Sequence, residues 1–327
     1  MKEGMKNASL YFKRTLTLKI NHWILLCFMC IAFKSYAWNA LGHRIIAQIA
    51  YEHMTNDARH RFSVFNHALD KVYKPQSFVN SSVWLDTLSY QDVHWYKTMH
   101  YIDIPFSTDG SKLPPSQSIN AIWAIEKSNQ LLMNTYATAY DKGIAFRVLL
   151  HVVGDLHQPL HAATKVSIDL PQGDRGGNLV LLPHFPMAKN LHMYWDRGGG
   201  LLARKHYTQG QIKKMAHELT SRYPCSRVKA DEIPLKWAEE SHKIAVTTVY
   251  QLPINDQYQQ KAQHITEQRI SQAGCRLAVL FNKIDASTVA QLSHKRTLNI
   301  VKAVGGRALS GSNVMNHNHV ASLPTIS

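Results

Sequence analysis

Two spacings in the sequence could do chemistry. His151 and Asp155, in HVVGD, stand four residues apart, as do His192 and Asp196 in HMYWD. Positions i and i+4 share one face of a helix, so each imidazole and carboxylate can converge on one ion. Nitrogen with carboxylate oxygen is a donor set that suits zinc. On its own, a His-x-x-x-Asp pair is more often a surface salt bridge or a satisfied core pair. The first pair differs because it lies in FRVLLHVVGDL, a nearly continuous apolar run of the kind that forms a buried helix. A charge buried there needs a partner, and a metal ion is an economical one. His161 stands between the two pairs, just past Pro159, where the helix must have ended.

Most of the elements that must position these residues read as helical. Residues 39–54 carry Leu41, Ile45, Ile46, Ile49 and Ala50 at helical spacing, with Asn39 as a cap. Further amphipathic or apolar stretches cover 116–140, 146–156, 211–221, 233–251, 258–284 and 287–304. The only convincing extended segment is 177–183, GNLVLLP, and turn formers crowd 107–116, 169–177 and 197–200. No repeat of 20–50 residues is visible, and no strong linker divides the chain, so one all-α domain is expected over 38–304. Residues 305–327 are poor in large apolar residues and read as a loose tail.

The first 37 residues read as an address. A basic segment and the apolar run WILLCFMCIAF precede Ser35-Tyr36-Ala37, a signal-peptide cleavage pattern that would leave Trp38 as the first mature residue. The run is shorter than the roughly 20 apolar residues of a membrane span. A secreted or periplasmic protein is expected, without stable membrane association once the signal is removed. Of the four cysteines, Cys225 and Cys275 remain after processing. In an oxidising compartment they can pair, closing a loop of about fifty residues for ~4 kcal/mol of chain entropy, or stay as two buried thiols. The formal net charge is +15, part of it in the first 37 residues, and a basic exported protein suits a polyanionic partner.

His43, Asp86 and His100 each have a plain explanation alone: a helix-face histidine, a turn aspartate and a strand-end histidine. In order, though, Trp38-Asn-Ala-Leu-Gly-His43, Trp84-Leu-Asp86, His100-Tyr-Ile-Asp103, His151 to His161, Asp174-Arg-Gly-Gly-Asn178 and Asn190 to Asp196 resemble the family of S-one/P-one nucleases. A weaker likeness continues through Ala273 to Asn282. The resemblance implies an all-α, single helical domain of the phospholipase C/P-one nuclease type, with three Zn2+ ions at the base of a cleft. Carried over position by position, Asp86, His100, His151 and Asp155 hold one zinc, and His161, His192 and Asp196 a second. The α-amine and carbonyl oxygen of Trp38, with His43 and Asp155, hold the third. Asp155 bridges two ions, and Asn178 touches the scissile phosphate, which makes them the catalytic pair. Tyr101 stacks on a base that Asp103 hydrogen-bonds. The implied activity is that of a secreted zinc-dependent endonuclease. It would cleave single-stranded DNA and RNA to 5′-phosphate products and would also act on 3′-nucleotides.

One departure stands out. Family members commonly carry a basic residue three places after the Asp86 position, and this chain has Ser89. His157 matches no ligand position and reads as a core residue or a support for the ligands. The nearest rival is a zinc phospholipase C, against which the short Trp38–His43 spacing and the aspartate at 196, where phospholipases place glutamate, both speak. A secreted metal-binding protein without catalysis is the rival from another class.

Overall fold

Asn39 opens the first helix by accepting hydrogen bonds from the amides of Leu41 and Gly42. The structure is a computed structural model, and it describes residues 38–88, 96–183, 185–204, 206–228 and 233–305, without the side chains of 292 and 294–305. The expected signal segment 1–37, Ser89 and residues 306–327 of the expected tail lie outside the described residues.

Helix α1 (Ala40–His53) packs the apolar face read from the sequence against the last helix. Helix α2 (Asn56–His67), capped by Thr55, was not anticipated, because Ala58 and Phe62 are its only buried apolar residues and make a faint periodic signal. The single turns α3 (Phe78–Ser81) and α4 (Trp84–Thr87) follow. Helix α5 (Ala121–Met133) is shorter than the expected 116–140, because the Asn120 side chain caps it and Asn134 ends it in an extended conformation. Helix α6 (Ala139–Leu156) begins well before its apolar run, at a capping box in which Thr138 and Asp141 satisfy each other's amides.

The expected strand at 177–183 is not a strand. Residues 175–177 turn left-handed, and only Leu181 bridges to Asn190. The strands that do form are Pro105–Ser107 and Thr164–Val166, paired in parallel with Pro105 opposite Thr164. They were unreadable because each is only three residues long. Beyond them come α7 (Leu191–Asp196), α8 (Gln209–Arg222) and α9 (Pro234–Ile244), which runs on into a π turn, Ala245–Val249. Helix α10 (Asp256–Gly305) joins the two stretches read as separate. The polar interruption around 285 is absorbed by one tertiary and one local bond: Asp285 pairs with Arg61 of α2, and the Thr288 hydroxyl donates to the Ile284 carbonyl one turn earlier in the same helix.

The fold is all-α, as expected. Phe62, Phe78, Phe146 and Phe281 lock α2, α3, α6 and α10 together, with the Phe62 and Phe281 rings 4.3 Å apart. Burying each such ring contributes about 1.5–3 kcal/mol. A smaller core around Trp195, Tyr194 and Tyr258 seats α7 against the π turn and the start of α10. Cys225 and Cys275 form a disulfide that ties the end of α8 to α10. No helix among the described residues is long and apolar enough to cross a membrane.

Candidate metal centre

Helix α6 carries His151 and Asp155 into the interior, both fully buried, and the other site residues are brought to them. From α1, His43 lays its ring on that of His151 (centroids 3.9 Å apart, 13° between planes) and points Nε2 to within 3.2 Å of Asp155 Oδ1. Gly154 permits this approach, because a Cβ there would sit 3.1 Å from His43 Nδ1. From α4, Asp86 Oδ1 stands 3.5 Å from His151 Nε2. His100 ends the 3-10 turn Lys97–His100, and its Nδ1 lies 2.9 Å from Asp155 Oδ2.

The short parallel sheet has a positional role. Beside it, the amide of Ile102 donates to the His161 carbonyl (2.8 Å) and His161 Nδ1 donates to the His100 carbonyl (2.7 Å). The chain after His100 is thereby stitched to the chain after His161. His161, His192 and Asp196 form a second group, and His43 also falls in a group with Asp86 and His151. Within each group the candidate donor atoms lie within 4.8 Å of one another. Trp38 is buried, and the amide of Asn39 donates to the Asp196 carbonyl at 3.1 Å, so the start of the described chain is fastened to the end of α7.

Three histidines share one bonding pattern. His151, His161 and His192 give Nδ1–H to the carbonyls of Ser82 (2.6 Å), His100 (2.7 Å) and Gly176 (2.7 Å). That contact fixes the ring and leaves Nε2 as the lone-pair donor, the arrangement expected of a metal-ligating imidazole. Gln158, which the sequence reading did not single out, holds Asp196 through Nε2 (2.7 Å) while its own Oε1 accepts from the Leu160 amide. Its place inside the His151 to His161 motif, directly before Pro159, was the signal the sequence offered for it.

The electrostatics fit a cation. Burial lowers the His43 and His100 pKa values to about 3 and that of His151 to about 4, so these rings stay neutral donors. Burial, with the Asp155 charge next, raises Asp86 well above the carboxylate range, and burial likewise raises Asp196. Both nitrogens of His43 and both oxygens of Asp155 are buried without an aligned hydrogen bond, although His43 Nε2 stands 3.2 Å from Asp155 Oδ1 and His100 Nδ1 stands 2.9 Å from Asp155 Oδ2. Such a group is costly to bury unless something compensates its charge. Neutral imidazoles and carboxylates meeting at unsatisfied atoms form a set that a divalent ion completes.

The residues expected to meet substrate lie beside this centre. Asp103 has its pKa raised to about 6 by burial and by the Asp174 charge, against which the Arg175 charge acts. Burial and Asp103 raise that of Tyr101. The Asn178 side chain donates to the Arg175 carbonyl (2.8 Å). Asp174 anchors the loop, accepting from the Lys165 amide (2.9 Å) and the Tyr250 hydroxyl (3.0 Å). His157 points away from the centre and belongs to the core. Its Nδ1 donates to the Val153 carbonyl, and its Nε2 accepts from Arg276 at 2.9 Å.

An all-α protein with three largely buried groups of histidine and aspartate donors, two of them sharing His151, is the class that fold and site define. The family model described as S1/P1 Nuclease matches residues 38–286, and the chain belongs to that family. It is 24% identical to Nuclease S1 of Aspergillus oryzae over 289 residues, 78% of this chain and 94% of that one. To Endonuclease 1 of Arabidopsis thaliana it is 26% identical over 78% of this chain and 90% of the relative. To Nuclease P1 of Penicillium citrinum the identity is 22%, over 78% of this chain and the whole of the relative. Membership of that family supports a nuclease function.

Proposed function

We propose that the mature chain, freed of residues 1–37 by cleavage before Trp38, is an exported zinc-dependent nuclease. It hydrolyses phosphodiester bonds of single-stranded DNA and RNA to 5′-phosphate ends and also releases phosphate from 3′-nucleotides. The observation that carries this reading is the meeting of buried histidine and aspartate donors at Asp155, whose oxygens make no aligned hydrogen bond. Asp86, His100, His151 and Asp155 would hold one zinc. His161, His192 and Asp196 would hold another, and His43, Asp155 and the terminal amine and carbonyl of Trp38 a third.

Zinc, when bound, supplies Lewis acidity toward a phosphoryl oxygen and toward water. The protein's part is positional. The carbonyls of Ser82, His100 and Gly176 aim three imidazoles, and Gln158 holds Asp196. Asn178, fixed by the Arg175 carbonyl, offers its amide to the phosphate. A base that leaves its stack lies on Tyr101 and bonds to Asp103, which a paired base cannot do cheaply.

The test compares denatured and duplex DNA by release of acid-soluble nucleotides, before and after chelation and after zinc is restored. Faster loss of the denatured substrate, abolition by chelator, recovery with zinc and about three zinc ions per chain are expected. Equal rates on both substrates, or activity indifferent to chelator, would remove the reading.

A further inference from the structure

Arg175 is the only non-glycine residue with a positive φ among the described residues, at +56°. It opens a left-handed turn of three, followed by Gly176 at +61° and Gly177 at +78°. Gly176 cannot be anything else, because a Cβ would collide with the Leu160 carbonyl. Position 175 has no such crowding and is exposed, and glycine or asparagine would satisfy its backbone at less cost. A long cationic side chain is nonetheless kept in a conformation that L-residues avoid. Such strain persists where the surroundings over-determine it, and it gathers at functional sites.

The surroundings here are the candidate site. The Arg175 amide donates to the Thr164 hydroxyl at 3.2 Å, and its carbonyl takes the Asn178 side chain at 2.8 Å. The next carbonyl, that of Gly176, takes His192 Nδ1. The backbone of residues 175–176 is therefore committed to aiming Asn178 and His192, and the side chain leaves the turn between them. Its charge is felt by both Tyr101 and Asp103. The preceding residue, Asp174, lies in a bonded cradle formed by the Lys165 amide and the Tyr250 hydroxyl, and its charge also reaches Asp103. A polyanion approaching this carboxylate-lined region needs a cation to meet it.

We propose that Arg175 is a substrate-binding residue whose guanidinium grips a phosphate of the nucleic-acid strand beside Asn178. The proposal rests on the nuclease reading above. A guanidinium matches two phosphate oxygens with two parallel N–H donors, which a lysine ammonium does only as a point charge.

The experiment uses the metal-loaded protein and the variants Arg175→Gly and Arg175→Lys. Three quantities are read: thermal melting, kcat and KM on single-stranded DNA, and binding of a fluorescent phosphorothioate oligonucleotide across a salt series. Arg175→Gly should melt no lower than wild type, because glycine suits the left-handed backbone. Its affinity should fall about tenfold or more, mainly through KM. The slope of log affinity against log salt should flatten by about 0.7, the value of one phosphate contact on a single strand. Arg175→Lys should recover the salt slope and part of the affinity. Unchanged affinity and slope in a stably folded Arg175→Gly, in a protein whose wild type does cleave, would overturn the assignment of Arg175 alone. A wild type that neither binds nor cleaves single strands would overturn both this proposal and the nuclease reading beneath it.

Discussion

Two buried polar clusters sit two residues apart at the end of α6, and they are solved in opposite ways. Around Asp155, three neutral imidazoles and further carboxylates converge without a lysine or arginine side chain among the described residues, and donor atoms are left without aligned bonds. Around His157, Arg269 and Arg276 bring their own positive charge. Arg276 donates to His157 Nε2 and to both oxygens of Glu240 (2.7 Å each), and Arg269 donates to the His157 carbonyl and to Glu240. Burial, followed by those two guanidiniums, drives the His157 pKa well down, so the ring is a neutral link in a network that leaves only Arg276 Nε without a partner. The difference shows how to tell a site from a scaffold when both are buried and polar. A scaffold satisfies its charges internally, whereas a site leaves them for something that arrives.

The largest effect should come from Asp155→Asn. The carboxylate meets His43, His100 and His151 at once, so its loss should cut nuclease turnover by more than about a hundredfold and lower the metal content. The same variant, stripped of metal, should melt no lower than stripped wild type, since a buried, uncompensated charge has been removed. A variant that keeps its turnover and its metal would show that the cluster is a scaffold after all.

Gln158→Ala should act less severely. It takes from Asp196 the amide that holds it and should weaken metal binding by about 10–100-fold, measured by chelator competition. The metal-free protein should lose about 1–3 kcal/mol of stability, because the buried Leu160 amide and Asp196 each lose a partner. A large loss of metal-free stability with unchanged metal affinity would place Gln158 with the scaffold.

Glu240→Gln should give the smallest effect on activity and a clear one on stability. Burial pushes Glu240 up, but the hydrogen bonds from Arg276 and Arg269 outweigh it and lower the carboxyl to about 2 from an ordinary 4.5. A depressed folded-state pKa contributes stability that is whole above the unfolded value and is lost as pH falls toward 2. The glutamate side chain is 40% exposed, so screening reduces the contribution to about 1–2 kcal/mol. Denaturant melts at pH 7 and pH 3 should find the variant weaker at the first and nearer to wild type at the second. An equal deficit at both pH values would show that the Glu240 charge is not what holds the arginines.

The residue types at the centre were legible because their relations are local. A His-x-x-x-Asp spacing fixes a shared helix face whatever surrounds it, and Asn39 caps α1 through amides two and three residues away. Boundaries were less legible wherever a local signal was incomplete. The 177–183 run, with Leu179 to Leu182 continuously apolar, reads as extended, yet the left-handed backbone of 175–177 turns it aside. The break read near 285 vanished because Arg61, far away in sequence, partners Asp285.

By itself, then, the sequence determined the helical class, the buried character of the α6 run and which residue types could act as donors, since these follow from periodicity and side-chain chemistry within a few turns. Only the tertiary structure decided which donors meet. His43 reaches Asp155 from another helix, past a glycine that leaves room for its ring. His161 is aimed by a carbonyl sixty-one residues away in sequence. His157, indistinguishable from its neighbours as a letter, is excluded from the site because two arginines of α10 already occupy its far side. Those outcomes depend on long-range packing, which no local spacing encodes.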